Sequence, residues 1–135
     1  MTTIEERTNA LLDEMLCFDN SQDRFEYVIS KYKSKPSDKT VCIEDNLVKG
    51  CVSNLWLSCA KNGDICEFKS EADSLITKAI ANLVCDFYNG LNSQEILEVD
   101  TDIFENAQIS SQLSPNRRNG LSKLLEKIRD FAKSA

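Results

Sequence analysis

The sequence predicts an α+β protein: a small three-stranded antiparallel meander packed against several helices, with helices at both ends of the chain. Three observations predict it. Apolar residues recur at helical spacing near both termini. The middle alternates instead, and is split by Asn62-Gly63, the strongest short hairpin signal. Strands grouped together, rather than alternating with helices, mark α+β over α/β. At 135 residues the chain, 1–135, reads as a single domain.

The elements follow in order. Thr3 and Glu6 form a capping box for a helix from Thr3 to Cys17, with Ile4, Leu11, Leu12, Met15 and Leu16 on one stripe. Ser21 caps a second helix, in which Phe25, Val28, Ile29 and Tyr32 repeat at i, i+3, i+4, i+7. The stretch from Lys33 to Lys39, rich in lysine, reads as a solvated loop. Leu47-Val48 then forms a short strand, Ser53 to Lys61 a second and Asp64 to Ser70 a third. A two-residue turn at Asn62-Gly63 sets 61 opposite 64, 59 opposite 66 and 57 opposite 68. One sheet face then carries Leu55, Leu57, Cys59, Cys66 and Phe68. Trp56 projects to the opposite face. Ser70 or Glu71 starts a long helix that buries Leu75, Ile76, Ala79, Ile80, Leu83, Val84 and Phe87, and Gly90 stops it at C′. Asn92 and Glu95 make a second capping box for a short helix through Leu97. Another short helix covers Ile103 to Ala107. Ser114-Pro115, an N-cap followed by proline at N1, opens a last helix with Leu121, Leu124, Leu125, Ile128 and Phe131 inward.

Composition narrows the chemistry. Hydrophobic residues are 41% and charged residues 28%, as in a soluble globular protein. Six cysteines stand beside no histidine, which removes Ser-His and Cys-His nucleophile pairs, mixed Cys/His zinc sites and His-ligated iron sites. The cysteines, at 17, 42, 51, 59, 66 and 85, form no C-x-x-C. The N-terminus carries early acids and no apolar h-region, so it does not read as a signal or transit peptide. These features predict a cytoplasmic protein with free thiols. A net charge of −6 argues against nucleic acid as a partner, and no apolar run is long enough for a membrane span. Six acids and no base lie between Ala79 and Asn116, whereas residues 117–135 hold six bases and two acids. Two solvated faces of opposite sign are the simpler reading; a docking face for a complementary protein is the other.

Five cysteines fit ordinary packing, because a free cysteine behaves as a small hydrophobe. Cys59 and Cys66 face each other on the inner sheet face, Cys85 borders its helix stripe, Cys17 ends the first helix and Cys42 sits between Val41 and Ile43. Cys51 differs: it follows Gly50 in a turn between strands, and no alternation asks it to point inward. Lys49 nearby favours its thiolate. With no resident general base, that thiolate suits thiol–sulfur exchange, in which the donor provides the leaving group.

The run Val48-x-Gly50-Cys51-x-Ser53-x-Leu55-Trp56-Leu57 resembles the SufE family signature, approximately V-x-G-C-x-S-x-V-W. Arg24 to Ile29 resembles the family's second helix, R-Y-x-Y-L-I. Asp73, Ile76 and Lys78 match its D-x-x-I-x-K-G start. Leu113 to Leu121 resembles its L-S-x-x-R-x-x-G-L motif. The resemblance covers nearly the whole chain. Val52, Ala72 and Ala79 depart from the family's usual Gln, Ser and Gly.

The resemblance implies a SufE/NifU-like fold and a sulfur acceptor that stimulates a partner enzyme and is not itself an enzyme. Cys51 would receive sulfur as a persulfide by transpersulfidation from a pyridoxal-phosphate-dependent cysteine desulfurase, SufS-like or CsdA-like. It would pass the sulfur toward iron–sulfur cluster assembly on a SufBCD-like scaffold. Members of a CsdE-like paralogous line pair with a different desulfurase. Gly50, Ser53, Asp73 and Arg117 are the supporting or partner-binding residues, with no metal and no cofactor of the chain's own. A persulfide needs shelter from reductants yet must reach another active site, so the Cys51 turn is expected to move between buried and exposed positions. The alternative is a NifU-type iron–sulfur or zinc scaffold, which would need clustered cysteines; a paired-cysteine redox sensor is the third.

Overall fold

Local capping places the starts of three of the six α-helices among the described residues where the sequence puts them. The computed structural model describes residues 2–50 and 53–135. Helix α1 (Ile4–Leu16) opens on Thr3, whose hydroxyl accepts from the Glu6 amide while the Glu6 carboxylate accepts from the Thr3 amide. Helix α2 (Ser21–Tyr32) is capped by Asn20 in place of Ser21: the Asn20 side chain accepts from the Asp23 amide at 2.9 Å. Arg24, buried, joins the two helices. Its Nε donates to the Met15 carbonyl at 2.8 Å and its Nη2 to the Phe18 carbonyl at 3.0 Å.

The sheet has two strands rather than three. Strands β1 (Leu55–Asn62) and β2 (Ile65–Ala72) form an antiparallel hairpin. Leu47 contributes only an isolated bridge to Trp56, with the Val48 amide donating to the Leu55 carbonyl at 2.8 Å. The predicted third strand fails because a 3₁₀ turn, Glu44–Asn46, ends just before it and Gly50, at φ +89°, turns the chain just after it. Two residues cannot propagate a ladder.

The hairpin register also differs from the predicted one. Its turn is Gly63-Asp64, and the pairs are Asn62↔Ile65, Lys61↔Cys66, Cys59↔Phe68 and Leu57↔Ser70. Gly63 has φ +65° and Asp64 is not in the positive region, the sign pattern of a type II′ turn, which wants glycine first. The displacement moves every pair by two positions, so side-chain parity survives. Leu55, Leu57, Cys66 and Phe68 are buried on one face as expected, with Cys59 half-buried beside them. Cys59 and Cys66 are therefore not directly opposite each other.

Helix α3 (Leu75–Tyr88) begins later than Ser70 or Glu71. Cross-strand pairing carries β2 to Ala72, and the Ser74 hydroxyl caps the helix by accepting from the Thr77 amide. Leu75, expected inside, is 51% exposed. Beyond it the helix is buried almost all round, lying against β2, α2 and the last helix, so it is the centre of the core. Each large apolar side chain buried there contributes about 1.5–3 kcal/mol. Asn89 closes its C-terminus and its side chain bonds both backbone groups of Phe68, extending the sheet edge. Gly90 follows at φ +90°, as C′ requires.

Helices α4 (Ser93–Glu98), with the Asn92–Glu95 capping box, and α5 (Ile103–Asn106) match the predicted short helices, and α6 (Pro115–Ser134) starts at Pro115 after Ser114. Leu121, Leu124 and Ile128 are buried, and Leu125 and Phe131 pack against the core. The 33–39 stretch is more than a solvated loop. The Lys35 ammonium donates to the buried Asn82 amide oxygen at 2.8 Å, and Lys78 reaches the Lys35 carbonyl and pairs with the buried Glu71 carboxylate at 3.4 Å. No helix among the described residues is long and apolar enough to cross a membrane.

Candidate functional site

Two helix starts converge on one cavity. Ser74 and Thr77 from the first turn of α3, and Ser114, Asn116 and Arg117 from that of α6, line it together with Ser53. Its inner wall is apolar: Leu55, Ile80, Ala81, Leu121 and Leu124, with Gly120 beside them. Its volume is about 250 Å³, several times the roughly 30 Å³ that one water occupies in the liquid. That is room for a cysteine side chain carrying one more sulfur.

The electrostatics of the rim favour an anion. Each helix N-terminus carries a partial positive charge of about half a unit, and Arg117 adds a full one. Ser74 and Ser114 satisfy the Thr77 and Arg117 amides, as N-caps do. A thiolate or perthiolate in this cavity would face the positive ends of two helices.

Of the residues predicted for the site, Ser53 and Arg117 line the same cavity although 64 positions separate them in sequence (117 minus 53). Gly50 is not among its lining residues; its carbonyl accepts from the Asn119 side-chain amide of α6 at 2.7 Å, and the Lys123 stem lies over its Cα. Asp73 is not in the first helical turn, as the sequence suggested. It is exposed, one residue before the Ser74 cap, and its amide donates to the Asn54 carbonyl at 3.1 Å. The reason is the longer β2, whose pairing with β1 continues through Ala72. Asp73 thus precedes the cavity-lining Ser74 and does not itself line the cavity. Cys51, the predicted acceptor, lies outside the described residues.

Ser74, Thr77, Asn116 and Asn119 were not singled out in the sequence. Asn119 and Lys123 had a signal: with Lys127 they recur every four residues along one face of α6.

The other cysteines are placed away from reactivity or at ordinary structural positions. Burial pushes the Cys59 thiol up to about 11, against a smaller opposing effect of Lys127, and burial pushes Cys85 up to about 12. At neutral pH each is thiolate in roughly one molecule in 10³ or fewer. Cys66 is fully buried. Cys17 is exposed, not packed, and its thiol donates to the Glu14 carbonyl at the end of α1. Iodoacetamide at pH 7.5 should therefore label Cys17 well before Cys59 and Cys85, as read by peptide mass spectrometry; equal labelling rates would contradict this burial. Among the described residues no group of three metal-ligating side chains gathers into a site.

Fold and cavity together describe a small α+β protein with an anion-favouring pocket lined by two helix starts. Residues 9–132 match the family model SufE, the Fe-S metabolism associated domain. An uncharacterized SufE-like protein of Rhizobium meliloti is 30% identical, covering 98% of this chain and 96% of its own. Another, of Rhizobium etli, is 31% identical over 91% of this chain and 87% of its own. The solution structure of a hypothetical protein from Thermus thermophilus has the same fold, with a TM-score of 0.75 at 19% identity, covering 96% of this chain and 95% of that one. The chain belongs to the SufE family, and with it to the proteins associated with iron–sulfur metabolism.

Proposed function

We propose that this protein accepts sulfur from a pyridoxal-phosphate-dependent cysteine desulfurase, holds it on Cys51 as a persulfide and delivers it to iron–sulfur cluster assembly. The observation that carries the reading is the Gly50-Cys51-x-Ser53 sequence motif, whose Ser53 lines a cavity bordered by two helix N-termini and Arg117. Cys51 is one residue from Gly50, which α6 holds, and two from Ser53, which lines the cavity.

The transfer balances without an external oxidant. The Cys51 thiolate attacks the outer sulfur of the desulfurase persulfide. A new S–S bond forms on Cys51, the donor's S–S bond breaks, and the donor cysteine leaves as a thiolate. The outer S–H of the new persulfide passes its proton to the departing donor thiolate, leaving a perthiolate on Cys51, the anion that the rim of the cavity favours. The apolar wall keeps reductants from it until it is passed on. The chain needs no cofactor for this step and acts as an accessory to the desulfurase. Exposed Asp73, one residue before the Ser74 cap, and exposed Arg117, which lines the cavity, are the contacts offered to that partner.

The test is incubation with a candidate desulfurase and free cysteine, followed by mass spectrometry of this chain under non-reducing conditions. The peptide containing Cys51 gains the mass of one sulfur and loses it on reduction. No gain with any candidate desulfurase overturns the proposal.

A further inference from the structure

Asp45 and Gly50, before position 51, and Leu57, after it, are fastened to one stripe of α6. Lys127, half-buried, donates from Nζ to the Leu57 carbonyl at 3.2 Å and the Asp45 carbonyl at 3.4 Å, clasping the segment at both ends. One turn earlier, the Lys123 stem lies 3.5 Å from where a Cβ on Gly50 would sit. One turn earlier again, Asn119 Nδ2 donates to the Gly50 carbonyl at 2.7 Å. Residues 119, 123 and 127 occupy the same helix face because four residues make about one turn. Three side chains at this spacing therefore meet a segment about 70 positions away.

We infer that Asn119 is a positioning residue for the acceptor cysteine. This rests on the reading of Cys51 as the acceptor. The Gly50 carbonyl belongs to the peptide unit that joins Gly50 to Cys51, and that unit is planar. Fixing the carbonyl oxygen fixes the plane, and with it the direction in which the chain enters position 51. Gly50, at φ +89°, supplies a turn that other residues resist. Asn119 then selects one orientation of the peptide that follows. An amide is suited to this task, since it donates to a carbonyl without bringing a charge to the cavity's edge. Asn119 lies on the exposed side of α6, so it adds little to the core and its effect falls on the turn.

The test needs no desulfurase, so its failure is separable from failure of the sulfur-acceptor reading. The rate of Cys51 alkylation by iodoacetamide is measured on the free, reduced protein by peptide mass spectrometry, with the melting temperature recorded in parallel. Asn119→Ala removes the contact, and Asn119→Gln keeps the donor. The Ala variant should alkylate Cys51 at a rate about three- to tenfold different from the native chain, the range that one hydrogen bond spans, at an unchanged melting temperature. The Gln variant should restore the native rate at least in part. A native rate in Asn119→Ala, or the same change in Asn119→Gln, overturns the inference.

Discussion

Cys51→Ser should return the partner desulfurase to its unaided rate and leave this chain with no gain of sulfur. The substitution exchanges one sulfur atom for oxygen and keeps the backbone. A serine hydroxyl stays protonated at neutral pH and is a weak nucleophile unless an adjacent base activates it. This chain contains no histidine to do so. None of the five remaining thiols is expected to take over. Cys59 and Cys85 are held protonated by burial, Cys66 is enclosed, Cys42 is half-buried at the end of the Lys39–Val41 3₁₀ turn, and Cys17 lies at the end of α1, in the α1–α2 corner. Serine at each of those positions should keep stimulation of the desulfurase, after allowance for any loss of folded protein at the buried sites. The same variant separates the competing readings. A scaffold of the NifU type would lose bound metal on Cys51→Ser, and a paired-cysteine sensor would lose an oxidised disulfide form. Stimulation by Cys51→Ser equal to that of the native chain would remove the acceptor reading altogether.

Local features of the fold were legible in the sequence because both partners of each contact lie within a few residues. The Thr3–Glu6 and Asn92–Glu95 boxes and the Ser114-Pro115 start are of this kind, and the helices they open stand as expected. Alternation in the hairpin was legible too, and parity protected the buried face even though the turn sits one residue later. What failed depends on distant parts of the chain. A third strand at Leu47-Val48 required room to pair, and Gly50 and the preceding 3₁₀ turn deny it. The start of α3 depended on how far β1 held β2, which no helix propensity reveals. The cysteine motif was visible as a short run. The cavity beside it was not, because its walls come from α3, α6 and β1, and Asn119 reaches Gly50 across 69 positions.

Arg24→Ala should cost about 3–5 kcal/mol of stability, the largest loss expected from a single polar side chain here. Arg24 sits at 6% exposure in the corner between α1 and α2, where the last turn of α1 leaves carbonyls without helical partners. Its guanidinium answers two of the chain's carbonyls there, Met15 through Nε and Phe18 through Nη2. Alanine removes both charge-assisted bonds, strands the buried Met15 carbonyl and leaves a space where the stem packed. For a chain of this size that loss should lower the melting temperature by about 10–15 °C. Arg24→Lys should recover little, since a single ammonium cannot reproduce the planar fork. No residue of α1 or α2 lines the cavity, so sulfur transfer per folded molecule should stay native at temperatures well below the transition. Sulfur transfer lost in a fully folded Arg24→Ala sample would mean that this motif arginine serves the reaction directly. A melting temperature within a degree or two of the native one would mean that the two carbonyls are satisfied without it.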